Sequence, residues 1–334
     1  MTIPRRPLGK TGFLIGEIGF GAWAIGADWG DAVPADQARQ ALNAALDAGM
    51  NFIDTADIYG AGRSESLIGE VLAERRRTHP KEEIVVATKM GRGPGWNDSP
   101  GAVKDAARRS CGRLGVGALD LVQLHCIDFS LIRNGRVLDS LEEARSEGLI
   151  RHYGLSVETI AEALWAIRHT AVASLQVIFN LFRQRVVEEL FPAAREAGVG
   201  IVARVPLASG VLSGKFRPGQ RFAPSDHRHF NADGQAFNVG ETFAGVPLEA
   251  GIAFAGEIAA LLADESPGAT VAQKSMRWIL DFPEVSTVIP GARSAAQAID
   301  NAGTSALAPL SAGAHAALAR LYREKIDPAV RGRY

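Results

Sequence analysis

The sequence predicts an α/β protein built as a single (β/α)8 TIM barrel with an N-terminal β-hairpin and a long loop between strands seven and eight. Three observations carry that prediction. Eight short apolar runs recur along the 334 residues. They are rich in Val, Ile and Leu and do not alternate with polar residues, as expected of strands buried on both faces of a parallel sheet. Segments of helical period separate them, and the first five runs start about 33 residues apart, the size of one βα unit.

Each element follows in order. Leu8–Ile15 reads as a small hairpin around Gly9-Lys10-Thr11-Gly12, placed to plug the barrel bottom. The strands are Ile18–Trp23, Met50–Asp54, Ile84–Lys89, Leu119–His125, His152–Ser156, Leu175–Phe179, Gly200–Pro206 and Val285–Pro290. The first helix, Asp36–Ala48, has apolar residues at Ala38, Ala41, Leu42, Ala45 and Leu46 and stops at Gly49, a common C-terminal cap. Ser64–Arg77, Val103–Leu114, Val137–Glu147, Ile160–Ile167, Val187–Ala197 and Ala295–Ala302 share its period, and Ile252–Asp264 and Val271–Asp281 precede the last strand. A doubly wound sheet is the alternative, but no GxGxxG opens a helix after the first strand. The segment Gly214–Pro247 has neither period, and a loop of that length in a barrel hangs over the C-terminal mouth.

Composition narrows the function. The chain is 47% hydrophobic with a net charge of −1, which excludes a disordered chain and gives no electrostatic footprint for nucleic acid or an anionic membrane. No run of about 20 apolar residues predicts a membrane span. Two cysteines without a CxxC make no disulfide framework, so a cytoplasmic protein with reduced thiols and no metal is expected. Oligomeric state stays open between monomer and assembly.

Active sites of this architecture sit at the C-terminal strand ends. There the chain places Asp54, with Tyr59 in the following loop, then Lys89 and His125 on the next two strands. Taken singly, each has an ordinary reading: a helix cap, packing, a Schiff-base lysine or phosphate anchor, a core histidine. Together they make a tuned acid. A phenol near pKa ~10 is a poor acid at neutral pH. A neighbouring ammonium lowers its pKa, Asp54 supplies that ammonium's counter-charge, and an imidazole can hydrogen-bond the phenol or a carbonyl.

On these residues the chain resembles the aldo-keto reductases from end to end. Leu8-Gly9-Lys10-Thr11-Gly12 and Gly19-Phe20-Gly21-Ala22-Trp23 are similar to the family's hairpin and first strand. Asn51–Gly60 with Ser64-Glu65 matches its most diagnostic motif, and Thr88-Lys89, Gln123-Leu124-His125, Gly154-Leu155-Ser156, Gln176 with Asn180, Pro206-Leu207-Ala208-Ser209-Gly210 and Ile289-Pro290-Gly291 follow in order. The resemblance implies NADPH-dependent reduction of a small carbonyl substrate, with Tyr59 as general acid tuned by Asp54, Lys89 and His125. It implies that Ser156 and Gln176 hold the nicotinamide carboxamide, and that Leu207, Ser209 and Lys215 meet the pyrophosphate. Gly291, Arg293, Gln297 and Asn301 then bind the adenosine end. Gly21, Trp23, Pro206, Gly210 and Ile289 complete the cofactor cleft. Arg293 beside a helix start suits a 2′-phosphate, which points to NADP(H).

Two positions depart from the pattern. Val157 stands where many members carry an asparagine, and Arg204 stands where many stack an aromatic ring on the nicotinamide. A guanidinium there is expected to favour NADPH over NADP+. Trp23, Trp29 and Trp96 at the mouth, with Phe237 and Phe243 in the long loop, are expected to wall the substrate pocket; Asp28 and Asp98 read as solvated turn residues, with binding of substrate hydroxyls as the alternative. Cys126 is expected to face the helix layer. Other functions stay open: a sugar or polyol dehydrogenase running oxidatively, a lyase using Lys89, or a cofactor-binding regulatory subunit.

Overall fold

The computed structural model describes residues 3–26, 32–93, 96–99 and 101–332. The expected barrel forms. Strands β1 (Arg5–Pro7) and β2 (Leu14–Gly16) make the antiparallel hairpin. Among the described residues the main sheet has eight parallel strands: β3 (Phe20–Gly21), β4 (Phe52–Asp54), β5 (Val85–Met90), β6 (Leu119–His125), β7 (Ile150–Ser156), β8 (Ser174–Ile178), β9 (Gly200–Arg204) and β10 (Val285–Val288), each paired with its sequence neighbour. Bridges Ile18–Val288 and Gly21–Gly291 join the two edges and close the barrel. Gly21 is obligatory at that seam, because a Cβ there would lie 2.7 Å from the Ile289 carbonyl oxygen.

Side chains alternate along each strand, and that alternation divides the interior by height. Leu8 and Ile15 of the hairpin pack with Phe52, Val85, Ala87, Leu121, Val202 and Ile289, so the bottom is an apolar plug. Two residues further along the same strands the inward positions are Asp54, Lys89 and Gln123. The outward set, including Ile53, Val86, Val122, Leu155, Leu175 and Ile201, packs under the helices.

Three elements differ from the sequence reading. The run expected as one helix over 187–197 is two, Val186–Glu189 and Phe191–Glu196, because Pro192 removes a backbone donor and can only open a helix. Helix Leu248–Leu261 starts four residues before the expected Ile252, set by Pro247 ahead of it. A further helix, Ala312–Leu321, capped by Ser311, follows the last expected one. The long loop carries short turns at His227–Phe230, Val239–Glu241 and Phe243–Gly245, and fully buried Asn231 donates to Thr242 Oγ1 at 2.9 Å. No helix among the described residues is long and apolar enough to cross a membrane.

Candidate active site

The strand ends bring the four sequence-predicted residues together. Lys89 Nζ donates to Asp54 Oδ1 at 2.5 Å, to the Thr55 carbonyl at 2.9 Å and to Tyr59 Oη at 3.1 Å. Gln123 and Gln176 donate to Asp54 Oδ2 at 3.2 and 2.7 Å, so both carboxylate oxygens are held. The Tyr59 and His125 rings meet edge to face, 5.8 Å between centroids. The loop presenting Tyr59 is rigid for local reasons. Gly60 has φ +59°, and a Cβ there would overlap the Gly26 carbonyl oxygen. Ser64 accepts from Thr55 Oγ1 and donates to the Ala22 carbonyl, while buried Glu65 accepts from Thr88 and Arg113, each at 2.5 Å.

The electrostatics correct one expectation. Burial pushes the Tyr59 phenol above its ordinary pKa, and the opposing pull of Lys89 does not reverse that. The phenol is therefore firmly protonated. Burial alone would lower Lys89, but Asp54 and Tyr59 outweigh it and the lysine stays an ammonium. Burial, then Lys89, Arg92 and Arg204, hold His125 well below its usual value, so the imidazole is neutral; its Nδ1 is buried without a partner.

Arg204, expected over the nicotinamide, is 8% exposed. Its Nη2 donates to the Val157 carbonyl at 3.3 Å and lies 3.6 Å from Cys126 Sγ. Cys126 is not in the helix layer. Its φ of +49° breaks the strand alternation and leaves the thiol in the mouth, 3.5 Å from Ser156 Oγ. Sequence reasoning missed Arg92 and Glu241. Arg92 forks onto Glu241 with two 2.9 Å bonds, and Glu241 Oε2 also lies 3.5 Å from Arg204 Nη1. Burial alone would raise Glu241, but Arg204 and Arg92 outweigh it and keep the carboxylate ionised. Phe237 lies under Arg92, 5.2 Å from ring centroid to guanidinium. The loop gave no periodic signal for Glu241; a single acidic residue beside Asn238 and Thr242 reads as solvated turn.

The remaining predicted residues fall into separate groups. Gln176 spends its amide nitrogen on Asp54. Val205, Ala208, Ser209 and Gly210 all have positive φ, forming an irregular turn beyond β9, with Pro206 and Leu207 between them and Lys215 exposed beyond. Ser209 Oγ accepts from Phe243 N at 3.2 Å and lies 3.3 Å from the Glu241 carbonyl, tying this turn to the loop. Around the last strand end, Arg293 N donates to Gln297 Oε1 at 2.7 Å and Asn301 Nδ2 to the Gly291 carbonyl at 3.3 Å. Ser294 caps helix Ala295–Gly303, with Gly291, Arg293 and Gln297 exposed at its start and Ile289 buried behind. Trp23 sits 4.6 Å from the His227 ring, and Trp96 is half-buried against Gly91. Phe243 is a core residue rather than a pocket wall, Asp98 pairs with Arg136 at 2.7 Å, and Trp29 and Asp28 lie outside the described residues.

Residues 17–323 match the Aldo/keto reductase family. The chain is 32% identical to the aldo-keto reductase str7 of Strobilurus tenacellus, covering 92% of this chain and 88% of that protein. It is 29% identical to a probable voltage-gated potassium channel subunit beta of Arabidopsis thaliana, covering 88% of each. A crystal structure of an aldo-keto reductase from Klebsiella pneumoniae in complex with NADPH superposes with a TM-score of 0.71 at 25% identity, covering 96% of both chains.

Proposed function

The chain belongs to the aldo/keto reductase family, and from that premise we propose that it is an NADPH-dependent oxidoreductase reducing aldehydes and ketones to alcohols, with Tyr59 as general acid. The observation carrying this reading is the buried Lys89 ammonium bridging the Asp54 carboxylate and the Tyr59 phenol beside a neutral His125. The likeness to the NADPH-bound Klebsiella enzyme supports the cofactor.

The donor set fits that cofactor. An exposed arginine at a nine-residue helix start capped by Ser294, with exposed Gly291 and Gln297 alongside, suits a phosphate monoester. The positive-φ turn 208–210 with Lys215 beyond it suits a second anion. We assign the adenosine end to Gly291, Arg293, Gln297 and Asn301, the pyrophosphate to Leu207, Ser209 and Lys215, and the carboxamide to Ser156, with Gln176 offering its carbonyl side. When bound, the reduced cofactor supplies the hydride that the carbonyl carbon accepts. The protein's own part is the proton. Tyr59 Oη gives it to the carbonyl oxygen, and Lys89 stabilises the resulting phenolate. Asp54, held by two glutamines, keeps Lys89 charged and aimed. His125, neutral, offers a hydrogen bond without competing for the proton.

The test is absorbance at 340 nm with 4-nitrobenzaldehyde and NADPH or NADH, alongside cofactor binding by fluorescence. Turnover with NADPH, at least tenfold preferred over NADH, is expected. Tight NADPH binding with no turnover on a broad carbonyl panel would replace this reading by the regulatory one that the likeness to the channel subunit favours. Faster alcohol oxidation with NADP+ at neutral pH would assign the oxidative direction.

A further inference from the structure

We propose that Arg92 and Arg204 form a carboxylate-binding site beside the tetrad, and that Glu241 fills it when no substrate is bound. Resting on the reductase reading, this names the substrate class: aldehydes or ketones that carry a carboxylate.

The geometry points there in three ways. The two guanidiniums come from the barrel itself, Arg204 from the end of β9 and Arg92 from just beyond β5, whereas the carboxylate between them comes from the long loop. The Arg92–Glu241 contact is a parallel two-bond fork, the arrangement by which arginine recognises any carboxylate. Donor capacity is left over, since Arg204 Nε is buried with no partner and Glu241 does not use it. Glu158 lies alongside, its carboxylate within 4.8 Å of the Glu241 carboxylate and the Cys126 thiol, so two carboxylates already face the two guanidiniums, and a substrate carboxylate enters by displacing Glu241 rather than by neutralising a spare charge.

Glu241 leaves without unfolding the loop. Its backbone carbonyl is anchored by Ser209, and the neighbouring Phe243 is core, so rotation of one side chain vacates the fork. The substrate carboxylate then takes the Glu241 position and its carbonyl faces Tyr59 and His125. Phe237, stacked under Arg92, gives the fork an apolar floor.

Binding tests the site apart from turnover. Calorimetric titration uses the full-length protein, with and without NADPH, and compares 4-(hydroxymethyl)benzoate with its methyl ester. The acid is expected to bind at least tenfold tighter. Glu241→Gln, which takes the charge from the internal occupant and weakens its hold on both arginines, strengthens acid binding roughly tenfold, and Arg92→Met abolishes the acid preference, a loss on the order of 10- to 100-fold. Should Arg92→Met melt early, Arg92→Lys keeps the charge but not the fork and still reduces the preference. Equal binding of acid and ester in wild type, or a Glu241→Gln variant with unchanged acid affinity, overturns the proposal. Turnover separates the two readings. If 4-carboxybenzaldehyde and methyl 4-formylbenzoate are reduced with equal kcat/KM, the reductase stands and the carboxylate site falls. If neither is reduced while the acid still binds selectively, the site stands and the reductase reading falls.

Discussion

The two ends of the barrel interior are built from the same strands and obey opposite rules. At the bottom, Phe52, Val85, Leu121 and Val202 meet the hairpin's Leu8 and Ile15 in a dry plug. Two to four residues further along, the same inward rows carry Asp54, Lys89, Gln123, His125 and Arg204, all nearly as buried. The bottom is stable by apolar burial and contact. The top is tolerable because its buried charges are paired: Lys89 with Asp54, Arg92 and Arg204 with Glu241. The contrast teaches where chemistry can be placed. A rigid apolar floor fixes strand register, and register alone delivers charged side chains to one spot.

The comparison breaks at its strongest point if the ion pair is cut. Lys89→Met leaves a buried carboxylate with only amide donors, and we expect a loss of about 3–5 kcal/mol in stability by urea unfolding, together with nearly all turnover. At the plug, Leu121→Ala should cost about 2–5 kcal/mol through the cavity it leaves. Its kcat/KM, measured well below Tm, stays within about threefold of wild type, so a large kinetic defect would show that floor and site are not separable.

Asp57 sharpens the contrast as a carboxyl only half-satisfied, its Ile58 backbone hydrogen bond leaving the other oxygen bare. Its Oδ1 is buried without a partner, and burial, then nearby Glu65, pushes its pKa up to about 6. A carboxyl whose folded value lies above its ordinary 3.8 holds its proton more tightly when folded. The stability this gives is present below pH about 4 and is lost as pH rises towards 6. Asp57→Asn should therefore gain on the order of 2–3 kcal/mol at pH 7.5 and nothing at pH 4; an equal gain at both pH values would refute the burial of an unpaired Oδ1. Ser294→Ala, the smallest effect, removes a helix cap worth about 1 kcal/mol and should weaken NADPH binding several-fold while sparing the tetrad.

Much of this was legible before the fold was. That Asp54, Tyr59, Lys89 and His125 meet could be read because strand ends are marked by periodicity. The fate of Gln176 was not, because its amide reaches across strands to Asp54, a contact that no spacing encodes. Cys126 was misplaced because alternation was extended one residue past the strand, where a left-handed backbone ends it. Glu241 was invisible because a loop without period says nothing about which of its carboxylates turns inward. The sign of the Tyr59 shift was also out of reach, because it depends on how completely the phenol is desolvated against one ammonium.

The central claim is that the Tyr59 hydroxyl, kept protonated by burial and backed by Lys89, is the proton donor. The direct measurement is single-turnover reduction of 4-nitrobenzaldehyde by the NADPH complex of Tyr59→Phe, with NADPH affinity measured in parallel. A fall of about 10²–10⁴-fold in rate at unchanged NADPH affinity is predicted. A variant that reduces the aldehyde within threefold of the wild-type rate would contradict the account.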